Sequence, residues 1–282
     1  MKRLFSIVVL LLGAGIIGII AAPRLDPVCL AQMGWYRLQH ERPGWNCLSY
    51  AAARGDRRIM RRMLNAGMPV DERTAAGATP LMLAAQHGRL QSVKLLLAHG
   101  AVINAQDAYG ASALAAAAHH NHAAVVRHLV HAGATVDLRD RIGRTPLRLA
   151  AGQAGHGNAE VAHILIHARA DATAADYRGD TPLMAAARAG HVTMLAYLLQ
   201  LGVPLVAHND RGDSALLLAV QHDQLEAARL LLEHAATGNH ADKQKALQFA
   251  LARGHARMAA LLRTHGATIN PPPAAAVAQE RK

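Results

Sequence analysis

The chain has 282 residues, a formal net charge of +11 and a hydrophobic content of 52%, yet only 3% of its residues are aromatic. That much apolar surface offsets chain entropy and excludes disorder over most of the length, while two cysteines are too few to build a disulfide scaffold. With so few rings the interior has to be packed from Ala, Leu, Val and Met, a composition suited to helices stacked at close range, so internal repetition is the first pattern to test.

Residues 1–22 stand apart. Lys2 and Arg3 precede an uncharged run from Leu4 to Ala22, which as a helix rising ~1.5 Å per residue would reach ~28 Å, close to the thickness of a bilayer core. An uncleaved membrane anchor fits this length. A cleaved signal peptide has the same basic front but a shorter apolar stretch and a small-x-small cleavage site, whereas isoleucines and Pro23 stand where that site would be. Either way the positive-inside rule leaves Lys2 and Arg3 in the cytoplasm and exports the chain beyond residue 22. The expected location is therefore the inner membrane, single-pass, with the rest in the periplasm, or the periplasm alone after cleavage. Residues 23–45 form an entry segment holding Cys29. Together with Cys47 it would lie in an oxidising compartment, and a disulfide between Cys29 and Cys47 is the natural expectation. A reactive Cys47 thiol at a helix start is the alternative.

From residue 46 the chain repeats. Asn46-Cys47-Leu48, Thr79-Pro80-Leu81, Ser112-Ala113-Leu114, Thr145-Pro146-Leu147, Thr181-Pro182-Leu183 and Ser214-Ala215-Leu216 set their leucines 33, 33, 33, 36 and 33 residues apart, and Leu247 comes after a further 31. Each unit opens on a Thr, Ser or Asn able to cap a helix start, often succeeded by Pro, whose missing N–H costs nothing at the first helical position. An Ala pair such as Ala84-Ala85, a break at Gly88, Gly190 or Gly254 and a second apolar helix such as Val93 to Leu97 complete an antiparallel helix pair. Between units, Asp107, Asp140 and Asp176 each precede a glycine by three residues, a spacing in which Asp bonds nearby backbone N–H groups and Gly supplies positive φ.

These residues closely resemble ankyrin repeats. The T-P-L-x-x-A-A core, the Gly-Ala pair after the second helix (Gly100-Ala101, Gly133-Ala134), the Asp-x-x-Gly spacing and the 33-residue period all match. The resemblance implies an all-α solenoid of about seven stacked helix pairs with short hairpin tips, covering residues 46–270. The fourth unit carries three extra residues around Gly152 to Asn158, which lengthen the bend between its helices. The last unit starts without a capping Thr or Pro and reads as a C-terminal cap, and residues 271–282 read as a disordered tail.

Signatures of catalysis are missing: Gly-x-Ser-x-Gly, His-Glu-x-x-His and Walker-type glycine loops do not occur, and neither an enzyme activity nor a cofactor is expected. Histidine is the anomaly, with 18 residues. Glu160, His163 and His167 share one helix face, and His131 takes the place of His167 in the preceding unit. Such ligands could hold a divalent metal, but adjacent units lie roughly 10 Å apart and the face points to solvent. His119, His120 and His122 form a second cluster that reads as solvated turn residues. Many such imidazoles would gain charge together below about pH 6.5.

The positive charge raises nucleic-acid binding, but export and the lack of aromatics interleaved with basic residues argue against it. Arg54, Arg57, Arg58, Arg61 and Arg62 form the densest basic group, a face either solvated or set against anionic lipid headgroups. Elsewhere Arg141, Arg144, Arg148, Arg178 and Arg211 are interleaved with Asp140, Asp176, Asp180, Asp210 and Asp213, which reads as mixed charge.

The resemblance also implies where a partner is met, namely at the tip residues flanking the turn Gly and at the end of each first helix. Carried onto this chain, those positions are Gln86 and His87; Tyr109, Ala111, His119 and His120; Arg141, Ile142 and Arg144; Tyr177, Arg178, Asp180 and Arg188; and Arg211, Asp213, Gln221 and His222. Interface energy concentrates in aromatic and Arg side chains, which makes Tyr109, Ile142, Tyr177 and the arginines the expected anchors. The expected function is a non-enzymatic protein-binding module or helper. An immunity or inhibitor protein neutralising a secreted toxin is the alternative, and a metal- or redox-linked stress-protection role stands behind it.

Overall fold

The computed structural model describes residues 45–152, 159–234 and 240–268. Fourteen helices run through them in consecutive pairs. They are α1 (Cys47–Arg54) and α2 (Arg57–Asn65), α3 (Pro80–Gln86) and α4 (Leu90–Ala98), α5 (Ala113–His119) and α6 (Ala123–His131), α7 (Pro146–Gly152) and α8 (Ala159–His167), α9 (Pro182–Ala189) and α10 (Val192–Gln200), α11 (Ala215–Gln221) and α12 (Leu225–His234), and α13 (His240–Ala252) and α14 (Ala256–Thr264).

The first helix of each pair starts as its sequence dictates. Asn46, Thr79, Ser112, Thr181 and Ser214 each accept, through the side chain, the backbone N–H three residues on, and Thr145 does the same for Arg148 at 3.2 Å. One such cap satisfies an otherwise unpaired helix-start donor and is worth about 1 kcal/mol. Three of the second helices begin differently, whereas α2 is capped by Asp56. Arg89, His122 and His191 precede α4, α6 and α10 without capping them. Each reaches back instead to a carbonyl of the preceding pair. Arg89 Nε donates to Ala53 O at 3.0 Å, His122 Nε2 bonds Gln86 O at 2.9 Å and His191 Nδ1 bonds Ala151 O at 3.0 Å. Two histidines of an unusually His-rich chain are thus staples between neighbours.

Packing obeys the repeat. The odd-numbered helices α1 to α13 touch in sequence to form one row, the even-numbered helices α2 to α14 form a second, and each pair closes on itself. Leu48, Leu81, Leu114, Leu147, Leu183 and Leu247 are fully buried in the first row, with Leu96, Leu129, Leu165, Leu198, Leu231 and Leu262 in the second. Leu216, at the same register, is only half-buried. Ala pairs such as Ala84-Ala85, Ala117-Ala118 and Ala186-Ala187 are also buried; their methyl side chains let the short helices approach closely and leave no room for rings. The three-residue excess of the fourth unit does not break the stack, because α7 packs on α5 and α9, and α8 on α6 and α10.

Several sequence expectations fall outside the described residues: the anchor or signal at 1–22, Cys29 and the rest of the entry segment up to residue 44, the insertion at 153–158 and the tail at 271–282. Among the described residues, no helix is long and apolar enough to cross a membrane. Cys47, the first residue of α1, is buried.

Candidate interaction surface

Between pairs the chain forms a row of tight turns, each organised by one side chain. Asp107 Oδ1 accepts the N–H groups of Tyr109 and Ala111, both at 2.8 Å. Asp140 Oδ1 accepts those of Ile142 and Arg144 at 3.1 and 2.8 Å, and Asp176 Oδ1 those of Arg178 and Asp180 at 2.9 and 3.1 Å. The next turn uses Asn209, whose Oδ1 accepts the N–H groups of Arg211 and Asp213 at 3.0 Å each. Asn209 escapes the Asp-x-x-Gly pattern because an amide replaces the carboxylate, although its spacing to Gly212 and its distance of 33 residues from Asp176 carry the signal.

Neighbouring turns are tied to one another. Ala108 N donates to Ala76 O, Arg141 N to Tyr109 O, Tyr177 N to Ile142 O and Asp210 N to Arg178 O, all at 3.0 Å. Side chains strap the same junctions: Gln106 Nε2 donates to Arg139 O at 2.8 Å. Arg73 Nη1 donates to Gly77 O and Gln106 O, both at 2.7 Å. Arg139 Nη1 donates to Gly143 O and Ala175 O at 2.7 and 2.6 Å. At Gly143, φ is +84° and an added Cβ would lie 2.6 Å from the Tyr177 ring, so both conformation and the next turn's approach demand glycine.

On this ladder Tyr109, Ile142 and Tyr177 project with 70%, 51% and 67% of their surface exposed, and Arg141, Arg178 and Arg211 are exposed beside them. Gln86, His87, Ala111, His119, His120, Arg144, Arg188 and Gln221 are half-buried, and His222 is exposed. Asp180 and Asp213 take a different place from the rest of the expected contact set: both are buried. Gln221 Nε2 donates to Asp213 Oδ1 at 3.3 Å. Asp180 accepts from Arg188, from Asn209 Nδ2 at 2.8 Å and from Arg148 Nη2 at 3.3 Å.

Arg148 is the centre of this network. It lies on α7 at the register held by Met82, Ala115, Met184 and Leu217 in the two units on either side, and only 8% of it is exposed. Its Nη2 also meets Asp176 Oδ2 at 3.2 Å, and its Nε donates to Asp180 O at 3.3 Å. Burial pulls the guanidinium below its ordinary value, against the support of Asp176 and Asp180. Burial raises the Asp180 carboxyl, but hydrogen bonds from Arg188 and Asn209 and the charges of Arg188 and Arg148 outweigh it and hold the group below its ordinary range. The mixed charge read from the sequence is therefore sorted by depth. Asp140, Asp176, Asp180 and Asp213 are buried, while Arg141 and Arg178 face outward and form no ion pair among the described residues. Asp210 is the exposed acid of these turns.

The histidine clusters have local partners. Glu160 pairs with Arg127 Nη2 at 3.0 Å. His163 and His167 stack with ring centres 4.0 Å apart, and Tyr197 stacks on His163 at 5.3 Å. Among the described residues, no group of three or more His, Cys, Asp or Glu is arranged to hold a metal ion. His119 is pulled below its ordinary value by burial and by Arg144, against a backbone hydrogen bond at Leu149. The five arginines from Arg54 to Arg62 edge an open depression together with Gly55 and Asp56.

Two rows of short helices with laced turns and an exposed row of tips define a helical repeat protein. The family model for ankyrin repeats (3 copies) matches residues 6–107, 101–176, 153–242 and 204–272, and the chain belongs to the ankyrin-repeat family. No curated protein matches it. Repeats of this family generally mediate protein–protein interaction.

Proposed function

We propose that this chain is a non-enzymatic binding protein that holds a protein partner against its row of tips and the ends of the adjoining first helices. Its N-terminal segment tethers it to the inner membrane, with the repeats on the periplasmic side. The observation that carries the reading is the exposure of Tyr109, Ile142 and Tyr177 on successive tips of a backbone ladder that holds those tips in fixed register. Large rings and Arg on a preorganised support are the side chains that concentrate interface energy. With the neighbouring acids turned inward, Arg141 and Arg178 suit an acidic partner face.

The test is photo-crosslinking in intact cells from an unnatural amino acid placed at 109 or 177, with Ala124, exposed on α6, as the control site. Adducts are expected from both tip positions and not from 124, and they should be lost when Arg141 and Arg178 are both replaced by Glu. Equal adducts from all three sites would reject the tip face. The same cells, converted to spheroplasts, are expected to lose the repeats to added protease; full protection would reject the periplasmic assignment.

A further inference from the structure

Outside the tips, the strongest concentration of one charge is on α2. Its buried residues are Met60, Met63 and Leu64; Arg57, Arg58, Arg61 and Arg62 are all exposed, Arg58 and Arg62 opposite the buried side by the 3.6-residue period, Arg61 on its flank and Arg57 in the first turn. Arg54, at the end of α1, edges the same open depression. Asp56 is the one acid there, and its Oδ1 is occupied by the N–H groups of Arg58 and Ile59 at 3.2 and 3.1 Å. Arg57, Arg58 and Arg61 form no ion pair among the described residues. Nothing in the packing of α2 requires four arginines on one nine-residue helix, since its neighbours α1 and α4 meet the apolar side.

We propose that this arginine face of α2 docks on the anionic phospholipid surface of the membrane in which residues 4–22 are embedded. The proposal rests on the membrane-anchor reading above. Basic clusters close to a membrane span are drawn to acidic headgroups within a Debye length, and Arg presents a fork of donors that matches phosphate oxygens. The 22 residues between Ala22 and Trp45 reach at most ~75 Å at ~3.4 Å per residue, so α2 stays within range of the bilayer, and tethering makes even a weak headgroup contact effective. Docking by α2 would fix the orientation of the first repeat and leave the tips open to a partner.

The experiment uses the full chain in nanodiscs of phosphatidylcholine alone or with about one third phosphatidylglycerol, and reads amide hydrogen exchange in residues 57–65, with residues 192–200 of α10 as internal reference. Exchange in 57–65 is expected to slow about tenfold in the anionic discs, to recover at about 0.5 M salt, and to lose its lipid dependence in the Arg57→Gln/Arg58→Gln/Arg61→Gln variant while α10 is unchanged. Identical exchange in the two lipids, or slowing that survives in the variant, would overturn the proposal. So would equal slowing in neutral discs given pyrophosphate, which would mark a site for soluble phosphate. If the chain elutes free of both discs, the anchor reading fails. Exchange is then compared with and without phosphatidylglycerol vesicles, and slowing of 57–65 or its absence decides the α2 assignment separately.

Discussion

At the scale of single residues, Arg148 shows how one substitution within a repeat can reorganise its neighbours. An arginine takes the place of Met, Ala or Leu and draws Asp176, Asp180, Arg188 and Asn209 into a buried cluster. Removing one member of such a cluster leaves charge buried without compensation. Arg148→Ala is expected to lower stability by about 3 kcal/mol in denaturant unfolding, the low end for a buried pair, because Asp180 keeps Arg188 and Asn209. Arg148→Met with Asp180→Asn is expected to recover part of the loss. The same groups set the pH dependence. Asp180 titrates in the fold below its ordinary value of 3.8, so the unfolded chain binds the proton more readily and stability falls as pH drops below about 4. His119 is likewise held below 6.5, which adds a loss that begins at about pH 6.5 on acidification. Thermal unfolding from pH 7.5 to 3 should show both phases, and Asp180→Asn should shrink the lower one, leaving the share of Asp171, which hydrogen bonds from Thr173 also hold below its ordinary value. None of this was legible in the sequence. Interleaved Arg and Asp look like surface charge until the stack shows which of them lie beneath the turns.

At the scale of elements, the helix pairs were readable because their determinants are local: a capping residue, Pro at the first helical position, small residues where helices touch and Gly at the bend. The turns were readable where Asp precedes Gly by three residues and concealed where Asn209 does the same work. The straps were not readable, since the shared register of Arg73, Gln106 and Arg139 does not tell that each donates to two carbonyls on adjacent tips. Arg139 serves two carbonyls on adjacent tips and has no counterpart at Ala175, one unit on. Arg139→Ala is expected to cost about 1 kcal/mol, the net worth of a typical hydrogen bond. It should also speed amide exchange at Tyr177 without altering exchange at Leu96. An unchanged Tyr177 amide would mean that the backbone rungs hold the tip unaided.

At the scale of the whole molecule, the principal helix contacts among the described residues lie within units and between adjacent ones, so stability is close to a sum of unit and junction contributions. Glycines beneath the tips are covered by the succeeding turn, as Gly143 is by Tyr177, whereas Gly212, at φ +73°, has nothing among the described residues within 4 Å of an added Cβ. Gly212→Ala is expected to cost only the left-handed strain of about 1–2 kcal/mol, and Gly143→Ala clearly more, in matched denaturant titrations. The difference between two chemically identical substitutions is then a gauge of coverage. Scanned along the chain, alanine tolerance at these glycines reports how closely each is covered. A partner that seats on the turn of Asn209 would cover Gly212 and make that glycine less tolerant, so binding would appear as a change in mutational tolerance at a position it need not contact through any side chain.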